Sequence, residues 1–161
     1  MDAVLLDTDV FSYLLRAGDA RGEPYRKHVQ GKTIALSFIT VGELYYGAIK
    51  RGWGAKKIAN LAQHLKAAVI VPYDVEICKT YGRLRATLKT ESGSDRCIFQ
   101  NDLWIAACAV RHNLPLITNN RKHFEGIPGL NVISEAVKKP QPGTPSLFPQ
   151  AAPPETKPIP E

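Results

Sequence analysis

Residues 33–48 read TIALSFITVGELYYGA, and the change of period inside this stretch decides the fold. Thr33–Ser37 (TIALS) is a short apolar run with the length of a buried strand, and Val41, Leu44, Tyr45 and Ala48 then recur at i, i+3, i+4 and i+7, one face of a helix. The same switch repeats on either side. Upstream, Ala3–Leu6 is a four-residue buried strand, followed by a helix through Val10, Phe11, Leu14 and Leu15. Downstream, Ile58, Leu61, Ala62 and Leu65 place a helix over residues 55–68, and Val69–Val71 forms a third strand before Pro72. A longer helix rich in Arg and Lys follows over residues 75–88. Residues 102–110 read as another helix, residues 114–118 (LPLIT) as a fourth strand and residues 131–133 as a fifth. Strands alternating with helices imply an α/β fold: a mainly parallel sheet of about four to five strands with helices on both faces. Ligands of such sheets bind beyond the carboxyl ends of the strands, where the connections reverse direction.

A chain of 161 residues suits one domain with a real core. At 44% hydrophobic, 22% charged and 8% aromatic residues, its composition is that of a soluble globular protein. No apolar run approaches the roughly 18 residues needed to cross a bilayer. The opening MDAVLLDTDV lacks the basic segment and apolar length of a secretory signal, so the expected location is cytoplasmic. Cys78, Cys97 and Cys108 are an odd number without a CxxC pair and read as small apolar residues. His28, His64, His112 and His123 are scattered, with no HExxH-like pair, which argues against a histidine-based metal site.

The net charge of +6 sits in the body of the chain: residues 1–139 carry 20 Lys and Arg against 13 Asp and Glu. Such a body is compatible with a polyanionic partner, although solvated surface charge is the alternative account. Eight of the twelve prolines fall in the last 22 residues, where helix and ladder are both blocked. The expected organisation is a folded domain over residues 1–137 and an extended, poorly ordered tail over 138–161.

Three carboxylates stand at strand-to-helix junctions or on the first turns of helices. Asp7 follows the first strand, Glu43 sits early in the second helix, and Asp102 opens the helix of residues 102–110. Each has a structural account of its own. Thr8 or Asp9 can cap the first helix, Thr40-Val41-Gly42-Glu43 fits a Thr-x-x-Glu capping box, and Asp102 suits a helix dipole. Capping does not require the three to converge, whereas an α/β sheet brings all of them to one edge. Carboxylates gathered there repel one another unless a cation neutralises them, and oxygen ligands suit Mg²⁺ or Mn²⁺. Metal-assisted attack on a phosphodiester follows from that chemistry.

The segments LLDTDVFSYLL, TVGELYYGA and NDLWIAACAVRHNLPLITNNRKHFEGIPGLNVI, in this order and spacing, resemble the PIN domains of bacterial VapC toxins. The resemblance runs from about Met1 to about Ile133. It implies a three-layer PIN-like fold and a Mg²⁺- or Mn²⁺-dependent endoribonuclease. It also implies neutralisation by a VapB-like antitoxin whose C-terminal segment enters the active-site groove, and commonly a homodimer. Its acidic residues map onto Asp7, Glu43 and Asp102. The fourth acidic position of many PIN domains is here Asn120, which brings a carbonyl but no charge and would hold a second metal less tightly. Thr118 is a further candidate, for orienting a metal-bound water. Asp9 and Asp95 fall outside the pattern and are expected to cap or to face solvent.

Among aromatic residues, Phe11, Tyr13, Tyr45, Tyr46 and Trp104 are candidates for stacking on RNA bases, with core or dimer packing as the alternative. Arg83, Arg85, Lys89 and Arg96 are candidates for phosphate contacts. Rival readings are a catalytically weak PIN domain serving as an RNA-binding or assembly module, and a metal-dependent phosphatase or DNA nuclease on a similar sheet.

Overall fold

In a computed structural model of the chain, which describes residues 2–88 and 100–136, five strands form one sheet in the order β3-β2-β1-β4-β5, every neighbouring pair parallel. The elements are β1 (Ala3–Leu6), α1 (Thr8–Leu15), α2 (Glu23–Val29), β2 (Thr33–Ser37), α3 (Phe38–Lys50), α4 (Ala55–Lys66), β3 (Val69–Val71), α5 (Val75–Thr87), α6 (Gln100–His112), β4 (Leu116–Ile117), α7 (Arg121–Phe124) and β5 (Val132–Ile133). Lys89, Asp95, Arg96, Cys97 and the proline-rich tail lie outside the described residues, as does the expected boundary after residue 137.

Alternation along β1 builds the three layers. Val4 and Leu6 point into a core with Val10, Tyr25, Leu36, Leu44, Leu61 and Ile117, beneath α1 to α4. Leu5 points the other way, into a core with Ile77, Leu84, Leu103, Ile105 and Phe124, beneath α5, α6 and α7. Successive side chains of a strand face opposite sides, so a sheet covered on both faces needs a continuous apolar run such as AVLL. The α/β expectation holds.

Boundaries differ where caps override periodicity. Helix α3 starts at Phe38, because the Ser37 hydroxyl accepts the Thr40 backbone N–H at 3.0 Å. Thr40 is therefore not an N-cap, and the capping-box account of Glu43 is corrected. At α1 the cap is Asp7 rather than Thr8 or Asp9: its Oδ1 accepts the Thr8 N–H at 2.7 Å. Strand β4 is the two residues Leu116–Ile117 rather than LPLIT, since Leu114 N–H closes the end of α6 on Ala109 O.

Two helices have no counterpart in the periodicity. Helix α2 buries one apolar residue, Tyr25, and α7 one, Phe124, so neither shows a stripe. Phe124 is fully buried and anchors the short segment that carries His123. Phe124→Ala is expected to cost about 3–5 kcal/mol through lost burial and the cavity left behind, measurable as a lower midpoint in urea denaturation.

Among the described residues no helix is long and apolar enough to cross a membrane. Cys108 is buried, and burial pushes its thiol up to about 12, which fits the reading of an inert apolar filler.

Candidate active site

The strand order reverses at β1: β2 lies on one side of it and β4 on the other. The loops leaving the carboxyl ends of β1 and β4 thus emerge side by side, where an open α/β sheet forms its crevice. Asp7 leaves β1 there, and Thr118, Asn119 and Asn120 leave β4. Helices α3 and α6 bring Glu43 and Asp102 to the same edge. Asp7, Asp9, Glu43, Asp102 and Asn120 line one pocket of about 450 Å³, together with Thr8, Tyr46, Gln100, Asn101 and His123. All four of the leading sequence candidates, Asp7, Glu43, Asp102 and Asn120, therefore meet in one place.

Each carboxylate is held by a neighbour. Asp7 is 4% exposed, and besides the Thr8 N–H it accepts the Thr118 hydroxyl on Oδ2 at 2.7 Å. Thr118 in turn accepts the Asn120 backbone N–H at 2.9 Å, which fixes the turn after β4. Its hydroxyl serves Asp7 and that turn, which places Thr118 directly behind the acidic centre. Glu43 accepts Asn101 Nδ2 on Oε1 at 2.8 Å and the Thr8 hydroxyl on Oε2. Asp102 Oδ2 lies 2.8 Å from His123 Nδ1. Asp9 accepts Asn120 Nδ2 at 3.1 Å. That last bond corrects the reading of Asp9 as a bystander: it sits on the first turn of α1 but faces the pocket.

Burial pushes the Asp7 carboxyl up to about 6, against the pull of its bonds to Thr118 and Thr8, and the charges of Asp102 and Asp9 raise it further. Asp102 is likewise raised, first by burial and then by Glu43 and Asp9, with His123 opposing. The carboxylates therefore feel one another across the pocket, and ionising all of them is costly without a counter-charge. Hard carboxylate oxygens, an Asn carbonyl and an open mouth fit Mg²⁺ or Mn²⁺. Among the described residues no three His, Cys, Asp or Glu side chains are disposed to hold a metal ion as they stand. Each carboxylate is held by a protein donor and keeps further lone pairs for an ion. The donor chemistry fits the ion.

Sequence reasoning missed His123, Asn101 and Asp9, whose partners lie 21, 58 and 111 positions away. The TNN turn was the one local hint. Among the described residues the remaining candidates lie outside the acidic pocket, with one exception, and the packing alternative holds for Phe11, Tyr45 and Trp104. Arg83 lines a separate small pocket with Thr80, Leu84, Val110 and Arg111, and neither it nor Arg85 lines the acidic pocket. Phe11 is buried in the core, Tyr45 packs against it, Trp104 stacks on Tyr81 at 4.0 Å, and Arg21 lies 4.4 Å over the Tyr13 ring. Tyr46 alone of the five lines the acidic pocket.

The family model described as "PIN domain" matches residues 4–130. The chain belongs to the PIN-domain family. Within it the relatives are VapC proteins. One is "Ribonuclease VapC2" of Haemophilus influenzae, 31% identical over 123 residues, 76% of this chain and 90% of that one. Another is "Ribonuclease VapC2" of Rickettsia felis, 32% identical over 127 residues, 78% of this chain and 92% of the relative. Among solved structures, VapBC2 from Rickettsia felis, bound to a DNA fragment from its promoter, superposes with a TM-score of 0.69 at 28% identity. That match covers 82% of this chain and 98% of the other. The VapC resemblance read from the three sequence segments thus holds, as does the three-layer PIN fold.

Proposed function

We propose that this PIN-domain chain is a Mg²⁺- or Mn²⁺-dependent endoribonuclease, the toxin of a VapBC-type toxin–antitoxin pair, acting in the cytoplasm. The convergence of Asp7, Glu43 and Asp102 at the switch point of the sheet carries the reading. Relatives named ribonucleases supply the substrate class, and the VapBC complexes among similar structures supply the partner, a VapB-like antitoxin. Two copies of the chain pairing as a homodimer complete the proposal, with residues 1–137 as the nuclease domain.

In this reading Asp7, Glu43 and Asp102 hold the ion, and Asn120 offers a neutral oxygen beside them. When bound, the ion supplies charge neutralisation at the phosphoryl group and activation of water. The chain's own residues do the positioning. Thr118 and the Thr8 N–H fix the Asp7 oxygens, Asn101 and Thr8 fix Glu43, and His123 fixes Asp102. Partners of this kind set the direction and basicity of ligating groups. No side-chain nucleophile is required.

Substrate choice separates this reading from its rivals. Purified full-length chain with Mg²⁺ is incubated with cellular RNA, with single- and double-stranded DNA and with a phosphomonoester. Cleavage confined to RNA is expected. Cleavage of DNA or release of phosphate at a higher rate points to the nuclease or phosphatase rival, and RNA binding without cleavage by wild type points to a binding module.

A further inference from the structure

Helix α3 carries Glu43, Tyr46, Gly47 and Lys50 at i, i+3, i+4 and i+7, one face of the helix. Read outward from the acidic centre, that face presents a carboxylate, an aromatic ring, a glycine covered by the Arg51 guanidinium, and a cation, over about 10 Å at the helical rise. Tyr46 is 64% exposed, although it is a large aromatic on a helix that buries its other face. It lines the acidic pocket and also an adjoining groove of about 1150 Å³ between α1, α3 and α4. Its ring therefore stands where the two meet. Lys50 Nζ lies 5.5 Å from the ring centroid, and the absence of a side chain at Gly47 admits the Arg51 guanidinium, whose Nη1 donates to the Gly47 carbonyl at 3.3 Å and adds a second cation beside the ring.

The charge of the groove has one sign beyond the acidic centre. Arg16, Lys50, Arg51, Lys56 and Lys57 line it, and its carboxylates, Asp9 and Glu43, are those of the centre itself. Among the described residues none of Lys50, Arg51, Lys56 and Lys57 is in a salt bridge with a carboxylate. A groove with cations along its rim, leading to an acidic metal-type centre past an exposed ring, is complementary to a single nucleic-acid strand: phosphates meet the cations while a base lies on the ring.

We infer that Tyr46 is the platform on which a base flanking the cut stacks, and that Lys50 takes a neighbouring phosphate as the RNA strand runs along the groove over α3 and α4. The inference rests on the ribonuclease reading. A base on Tyr46 holds the strand so that the next phosphodiester reaches Asp7, Glu43 and Asp102, and the ring makes this nucleotide a determinant of cleavage preference.

The test uses full-length chain and a fluorescein-labelled single-stranded RNA 12-mer of random sequence. Binding is read by anisotropy in EDTA and cleavage by sequencing the products in Mg²⁺. Tyr46→Ala is expected to weaken binding about tenfold or more and to flatten the base preference at one position beside the cut, whereas Tyr46→Phe and Tyr46→Trp stay within about twofold of wild type. Melting temperatures of all three remain at the wild-type value, since the side chain is exposed. Lys50→Ala lowers the slope of log affinity against log salt by about 0.7, one phosphate on a single strand. Tyr46→Ala binding RNA like wild type, or Tyr46→Phe failing as badly as Tyr46→Ala, overturns the inference. So does a Tyr46→Ala variant that keeps its RNA affinity and loses only the capture of an antitoxin protein, which gives the groove to a protein segment. If wild type binds through Tyr46 but cuts nothing, the nuclease reading fails while the stacking assignment stands. If wild type cuts and Tyr46 has no part in it, the reverse holds.

Discussion

With Mg²⁺ present, Asp7→Asn and Asp102→Asn each lower RNA cleavage by about a thousandfold or more, a loss of about 4 kcal/mol of transition-state stabilisation. Asn matches Asp in shape and still offers one oxygen, so the Thr8 N–H at Asp7 keeps an acceptor. What the substitution removes is charge, the property a divalent ion requires. Loss through misfolding is separable, because Asp7→Asn is expected to make the metal-free protein more stable at pH 8, not less. Removing a buried, repelled charge gains about 1–2 kcal/mol after allowing for an imperfect bond to Thr118. Single-turnover cleavage and thermal unfolding of the same preparations check both halves. An inactive and destabilised Asp7→Asn contradicts the electrostatic account.

The second large effect is the pH dependence of stabilisation by metal. Asp7 titrates near 6 in the folded chain and near 3.8 when unfolded. Below pH 3.8 both states hold the proton. Between 3.8 and 6 the folded state alone holds it, so stability from this group declines as pH rises through that window and stays low above it. The full difference is about 3 kcal/mol, and Asp102 acts in the same direction. A divalent ion reverses the balance, because it binds the ionised form. Mg²⁺ or Mn²⁺ at a hundred times its dissociation constant is expected to stabilise the chain by about 2.7 kcal/mol at pH 8, several degrees in melting temperature. The shift shrinks towards pH 5, where protons compete. Calorimetry at both pH values checks this; equal shifts at pH 5 and pH 8 place the ion elsewhere.

Much of the site was legible in the sequence because its carboxylates sit at junctions that local pattern marks. AVLL followed by Asp7 is a strand end by length alone, and TIALS followed by the Val41, Leu44, Tyr45, Ala48 stripe places Glu43 on a helix near a strand end. The parallel sheet follows from the alternation. Its order does not, and the order is what sets the Asp7 and Thr118 loops side by side. Asp9 reads as a helix-start residue until β4 delivers Asn120 to it from 111 positions away. His123 lies on a four-residue helix too short to show a period, and its bond to Asp102 depends on Phe124 docking in the core. Tyr45 and Tyr46 are adjacent and chemically identical. Only the phase of α3, set by the Ser37 cap, turns one into the core and the other towards the acidic pocket.

The central claim, that the acidic centre is a metal site that cuts RNA, is tested most directly by titrating Mn²⁺ into full-length wild type and Asp102→Asn while following cleavage of one RNA pool. Saturable, EDTA-reversible cleavage by wild type and none by Asp102→Asn at any Mn²⁺ concentration is the predicted result. Cleavage by wild type that persists in EDTA, or an Asp102→Asn curve that overlays wild type, contradicts it.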